Sequence, residues 1–199
     1  MPLDVEYLDF RKDLYFYDLV LSFSISLCGC PNIFDKSSPA YGMNNEILSF
    51  PGLHSQKKSM NPQLLRSQVE EGKILKSRHI EMCCMMLANT AYESVKQYND
   101  HGEVFEFFRH IRNASSHLNI FNFNQKEPSH SAQWRGASFN KNLRGQNNPH
   151  SNRPCFGHLM GVADLLDLLI DVESIIISQI DSDTKIDVKS RQARIHTRP

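Results

Sequence analysis

Between Arg109 and His117 the chain reads Arg-His-Ile-Arg-Asn-Ala-Ser-Ser-His, two arginines, two histidines and an asparagine within nine residues. An imidazole with an ordinary pKa of about 6.5 can move protons near neutrality, and a guanidinium grips phosphate oxygens in a fork. On a helix turning about 100° per residue, Asn113 and His117 stack at i, i+4, with His110 one turn behind Asn113. Arg112 lies about 140° from His117 around the axis, yet its long arm can swing to the same cleft. Such a set could bind a phosphodiester and shift a proton. The same residues also read as a solvated helix face, with His117 favoured by the negative end of the helix dipole.

Other chemistry-bearing patterns are missing from the sequence. It holds no glycine-rich phosphate loop, HExxH, paired CxxC or GxSxG. The five cysteines are Cys28, Cys30, Cys83, Cys84 and Cys155, an odd number with no regular framework. Adjacent and next-but-one cysteines are poor disulfide geometry, so all five are expected reduced. Cys28 and Cys30 lack a second pair at zinc spacing, and no metal or cofactor is expected. Asn113-Ala114-Ser115 spells a glycosylation sequon, set aside because no export signal is evident.

The elements that must hold the nine residues follow from periodicity. Lys12 to Leu27 is an aromatic and aliphatic block expected to be helical, although Val20 to Leu27 alternates and a strand is possible. Pro and Gly punctuate Cys28 to Pro62, which reads as loop with a short helical turn near Glu46 to Phe50. From about Pro62 to Asn99, Leu65, Val69, Leu75, Ile80, Cys83, Leu87, Ala91 and Val95 recur at helical steps. Asn99-Asp100-His101-Gly102 is a turn, and a helix from about Glu103 to His117 follows it.

Leu118 to Cys155 shows no periodicity and reads as a long loop. It carries Trp134, Arg135 and Arg144. Residues 101–160 hold seven Lys/Arg against three Glu, a basic stretch in a chain with 22 of each charge. Arg109, His110, Trp134, Arg135 and Arg144 are the substrate-contact candidates, Trp134 through base stacking. Trp134 pinning the loop to the bundle is the competing reading.

A last helix, about Phe156 to Ile180, bears Asp164, Asp167, Asp171, Ser174, Ser178 and Asp181 as one polar stripe on an apolar cylinder. It is expected to be buried on most sides, in a bundle or against another subunit. The whole is expected to be all-α: one domain over 1–181 with its core at about 62–180, then a polar tail over 182–199. Balanced charge excludes a polybasic coat protein. The acidic start argues against a signal peptide, Leu14 to Cys28 is too short to span a bilayer, and the last helix carries too many acids. A cytoplasmic protein without membrane contact is expected.

Arg112-Asn113-Ala114-Ser115-Ser116-His117 resembles the signature of HEPN domains: an arginine, a polar residue, a short spacer and a histidine. The approach FEFFRHIRNASSH, then Phe121-Asn122-Phe123, Trp134-Arg135-Gly136 and the Asp-Leu-Leu of the last helix resemble a small bacterial HEPN branch associated with plasmids and defence loci. This similarity spans about residues 100–180.

The resemblance implies an HEPN-like helical bundle, with a long loop between the motif helix and the last helix. It implies a homodimer with two motifs face to face, and cleavage of RNA without a metal. Carried over, Arg112 and His117 would be catalytic and Asn113 would support them. The RNA 2′-hydroxyl would attack the adjacent phosphorus, giving a 2′,3′-cyclic phosphate and a 5′-hydroxyl, so DNA would be spared. The implied role is a growth-arresting toxin or antiphage effector, whose partners would be RNA and an antitoxin or defence protein. Some HEPN toxins are neutralised at a tyrosine two residues after the histidine; Asn119 stands there, so that route is not expected. Other HEPN domains are silent adaptors binding a nucleotide or a partner protein, and this remains the alternative.

Overall fold

A computed structural model describes residues 15–43 and 45–196, with side chains up to residue 180; the start of the expected first helix lies outside the described residues. The architecture is mostly α, where an all-α chain was expected. Helices α1 (Tyr17–Cys28), α2 (Cys30–Phe34), α3 (Pro62–Glu70), α4 (Lys76–Val95), α5 (Glu103–Ser116) and α6 (Val162–His196) are joined by two small antiparallel hairpins. These are β1–β2 (Leu48–Phe50, Lys58–Met60) and β3–β4 (Ala132–Trp134, Ala137–Phe139).

The single helix expected over Pro62 to Asn99 is two. Asn61 caps α3, its side chain accepting from Gln63 N–H at 2.9 Å, with Pro62 at the first helical position. Gly72 then takes φ +71, and Lys73 N–H returns to the carbonyl of Gln68 at 2.9 Å. Added side-chain bulk would meet nothing there, so glycine is used for its left-handed backbone alone. The turn expected near Glu46 to Phe50 is instead a strand, with Phe50 held extended by the proline after it.

Helix α5 lies at the centre. Phe105, Phe107, Phe108, Ile111 and Ala114 are buried, and Tyr92 of α4 meets Phe105 and Phe108 edge-on. The long segment after α5 has no helical period because it is a wrapping of short pieces. Phe107 stacks on Phe139 at 5.1 Å, and Phe121, Phe123 and His150 close around the same ring. Arg135 and Gly136 form the two-residue turn of β3–β4, both at positive φ (41° and 86°), the backbone that a twisted hairpin requires.

Helix α6 starts six residues later than expected, because Gly157, at φ +85, turns back to the carbonyl of Met160. Asp164 caps the start by accepting from Gly161 N–H at 2.7 Å. The helix runs through the expected tail to His196. Leu165, Leu168, Leu169, Val172 and Ile176 face the core, while Ile170, Ile177 and Ile180 stay exposed within this chain. At the other end, Tyr17–Phe34 has a mean hydropathy of 1.2 and is only 11% buried. By length and composition it could cross a membrane, a test that core helices also pass; the helical run is longer than the segment judged too short in the sequence.

Candidate functional site

The nine-residue cluster divides between the middle of α5 and its C-terminal end. At the C-terminal end, Arg112 Nη2 meets Glu93 Oε1 of α4 at 2.5 Å, and its Nη1 donates to Asn113 Oδ1 at 3.2 Å. The guanidinium lies 5.9 Å from the centre of the Tyr92 ring, and its Nε–H is buried without a hydrogen-bond partner among the described residues. Glu93 also takes Lys96 Nζ at 2.7 Å; Lys96 first, then Arg112, hold its carboxyl below the usual range.

His117 ends α5. Its N–H still reaches the carbonyls of Asn113 and Ala114, but its ring is exposed and has no hydrogen bond among the described residues. No direct polar contact joins it to Arg112 among those residues. The chain then turns sharply through Leu118 and Asn119, both left-handed at φ 56° and 71°. Asn119 makes that turn stable. It is buried, accepts from Phe156 N–H at 2.7 Å and donates to the Phe156 carbonyl at 2.9 Å. Asn119 therefore serves as a structural tie.

Leu118 pays no such role: it is 70% exposed in a conformation that costs a branched side chain energy. Beside it opens a cleft of about 190 Å³ lined by Arg78, Glu81, Leu118, Asn119, Phe156 and His158, among others.

In the middle of the helix, Arg109 and His110 are committed to the fold. Arg109 donates from Nε to Glu106 Oε2 at 2.7 Å and from both Nη atoms to Glu127 at 3.0 Å, a fork across 18 residues. Glu106 is 1% exposed and takes further hydrogen bonds from Asn99 Nδ2 and His101 Nδ1, each at 3.0 Å. Burial alone would raise its carboxyl; those donors outweigh burial and hold it down at about 2.

His110 is 1% exposed between the rings of Phe123 and Phe139. Burial first, then Arg109, push its pKa down to about 4, so it stays neutral near pH 7 and has no open face for a substrate. The structure turns both away from the open substrate-contact position that the sequence suggests: His110 is buried, and Arg109 is engaged by two carboxylates.

The wrapping segment resolves similarly. Trp134 is 6% exposed, donates Nε1–H to Asp171 at 2.8 Å, and packs against Phe107. The pinning role is the one it has, and base stacking would need it to leave the core. Arg135 lies 4.9 Å over the Trp134 ring and pairs with Asp167 and Asp171. The acidic stripe of α6 is thus in part the docking line for this hairpin. Arg144 is exposed, donates Nε–H to the Lys141 carbonyl at 3.0 Å, and meets no carboxylate among the described residues.

Sequence reasoning missed Glu93, Tyr92 and the Arg78–His158 wall of the cleft. Glu93 carries a faint signal, an acid on the helix preceding the motif, but only the α4–α5 packing selects it. No family model, curated protein or solved structure matches this chain.

Proposed function

We propose that the C-terminal end of α5 is an endoribonuclease site of HEPN type that needs no metal, in a growth-arresting toxin or antiphage effector. The observation that carries the reading is an exposed imidazole at His117 with no hydrogen bond among the described residues, five residues from the Arg112 guanidinium, whose buried Nε–H has no partner among them either. His117 is the group able to take the 2′-hydroxyl proton. Arg112 and Asn113 are the groups able to steady charge on the phosphorane, once Arg112 turns from Glu93 toward phosphate.

The site is completed by a second copy of the chain. Leu118, exposed beside His117, and Ile170, Ile177 and Ile180 on α6 supply apolar surface for a homodimer. RNA reaches the site along Arg78, His158 and Arg144, and an antitoxin or defence partner restrains it. The protein works in the cytoplasm.

The Arg112–Glu93 pair favours a second reading, in which Arg112 is a tie between α4 and α5 and the domain is an adaptor binding a nucleotide or a partner protein. Incubation with RNA in EDTA separates the two. The nuclease reading expects fragments ending in 2′,3′-cyclic phosphate and no cleavage of the same sequence as DNA. Intact RNA with purified dimer would favour the adaptor.

A further inference from the structure

We propose that His101, Glu106 and His130 form a binding site for one divalent transition-metal ion of the zinc class, at the end of α5 opposite His117. His101 comes from the turn before α5, Glu106 from its first turn, and His130 from the wrapping segment 29 residues beyond His101. One ligand atom from each lies within 4.8 Å of the others. His101 Nδ1 is 3.0 Å from Glu106 Oε1, His130 Nδ1 is 3.9 Å from Oε2, and the two rings stack at 4.5 Å.

Two imidazoles and one carboxylate suit zinc, cobalt or nickel, whereas magnesium and calcium prefer oxygen alone. A tetrahedral ion with bonds of about 2.0–2.1 Å sets its ligand atoms about 3.4 Å apart, so closure takes only a small movement. The imidazoles can make it: their side chains are 62% and 48% exposed, open to an arriving ion. Glu106 stays still, because Asn99 and Arg109 orient it in the manner of outer-sphere partners.

Charge points the same way. Glu106 and Glu127 face the single guanidinium of Arg109, leaving one negative charge that a cation would offset. On binding, the neutral ring of His101 presents Nδ1 to the ion in place of Glu106 and carries its proton on Nε2, the tautomer exchanging through solvent with no net proton released, and water fills the fourth position. His101 also holds a left-handed backbone, φ 63°, uncommon outside glycine, with its Nδ1 3.0 Å from Glu106 Oε1. A bound ion would staple the start of the wrapping segment to α5.

The test uses the full-length chain, stripped with EDTA and titrated with Zn²⁺ by calorimetry at pH 7. One ion per chain is expected, with Tm rising roughly 5–10 °C at a hundredfold excess over Kd. Mg²⁺ and Ca²⁺ should leave Tm unchanged. H101A and H130A should each weaken binding by about 100-fold or more, since loss of outer-sphere partners alone costs 10–100-fold.

H117A and C83S should bind as the parent does; Cys83 is included because its thiol sits 3.6 Å from His79 Nε2, a rival donor pair. Co²⁺ loading should give visible d–d bands without a thiolate charge-transfer band, a readout that needs no variant. No binding, unchanged affinity in the H101A/H130A double variant, or a thiolate band would each overturn the site. Stabilisation on acidification without any metal effect would assign the balancing charge to an imidazolium and overturn it equally.

Discussion

In its middle α5 carries an arginine and a histidine whose polar atoms are committed: Arg109 divides its donors between two carboxylates, and His110 sits neutral among phenylalanines. One to two turns further along the same two residue types recur as Arg112 and His117. There the arginine keeps a buried donor without a partner among the described residues and the histidine faces solvent. Composition cannot tell these pairs apart. Their surroundings can, since a buried ion pair is defined by what is lost when one member leaves, and a reactive pair by what remains unused. The lesson is that the satisfied middle of the helix builds the frame on which its unsatisfied end is presented.

The widest contrast is in stability. Arg109→Met should leave Glu106 and Glu127 facing one another with no guanidinium between them. A loss of about 3–5 kcal/mol is expected in urea unfolding. A loss below about 1 kcal/mol would mean the fork contributes no more than a surface pair.

Next is acid sensitivity. His110 has its folded pKa lowered to about 4 from an ordinary 6.5, under the influence of burial and Arg109 and against Glu127 and Glu106. The unfolded chain therefore takes up this proton first as pH falls. Its contribution is full above pH 6.5 and fades as pH drops towards 4, on the order of 2–3 kcal/mol. His110→Phe should flatten that part of the stability-against-pH curve, and an unchanged slope would place the acid sensitivity elsewhere.

The smallest effects belong to the wrapping segment. Arg135→Ala should cost no more than about 1 kcal/mol, because its pairs with Asp167 and Asp171 are half-exposed. Arg144→Ala should leave stability unchanged and lower the salt slope of RNA binding by about 1. A larger RNA effect from Arg135 than from Arg144 would reverse their assignment.

Much of the frame was legible in the sequence. The limits of α5 are read to within a residue, because Gly102 opens a strongly periodic aromatic face and Ser116-His117 closes it. The break at Gly72 was also present, as a glycine after two glutamates and as a six-residue step from Val69 to Leu75 that leaves the helical period, but the apolar residues on either side read as one long run. The wrapping segment was less accessible, since three-residue strands and single bridges leave no period to detect.

At the site, helical spacing sorts residues by face but carries no partner at long range. Glu127 lies 18 residues from Arg109, and Glu93 lies 19 from Arg112. Those two carboxylates decide which arginine is structural, and only tertiary packing supplies them.

The central claim is that the exposed C-terminal end of α5 does the chemistry and its buried middle does not. It is tested most directly by measuring RNA cleavage in EDTA for the parent chain and His117→Ala, with Tm recorded for both. The account predicts a fall in turnover of about 100-fold or more at an unchanged Tm, because the exposed ring supports no packing. Equal cleavage by the two proteins would contradict it.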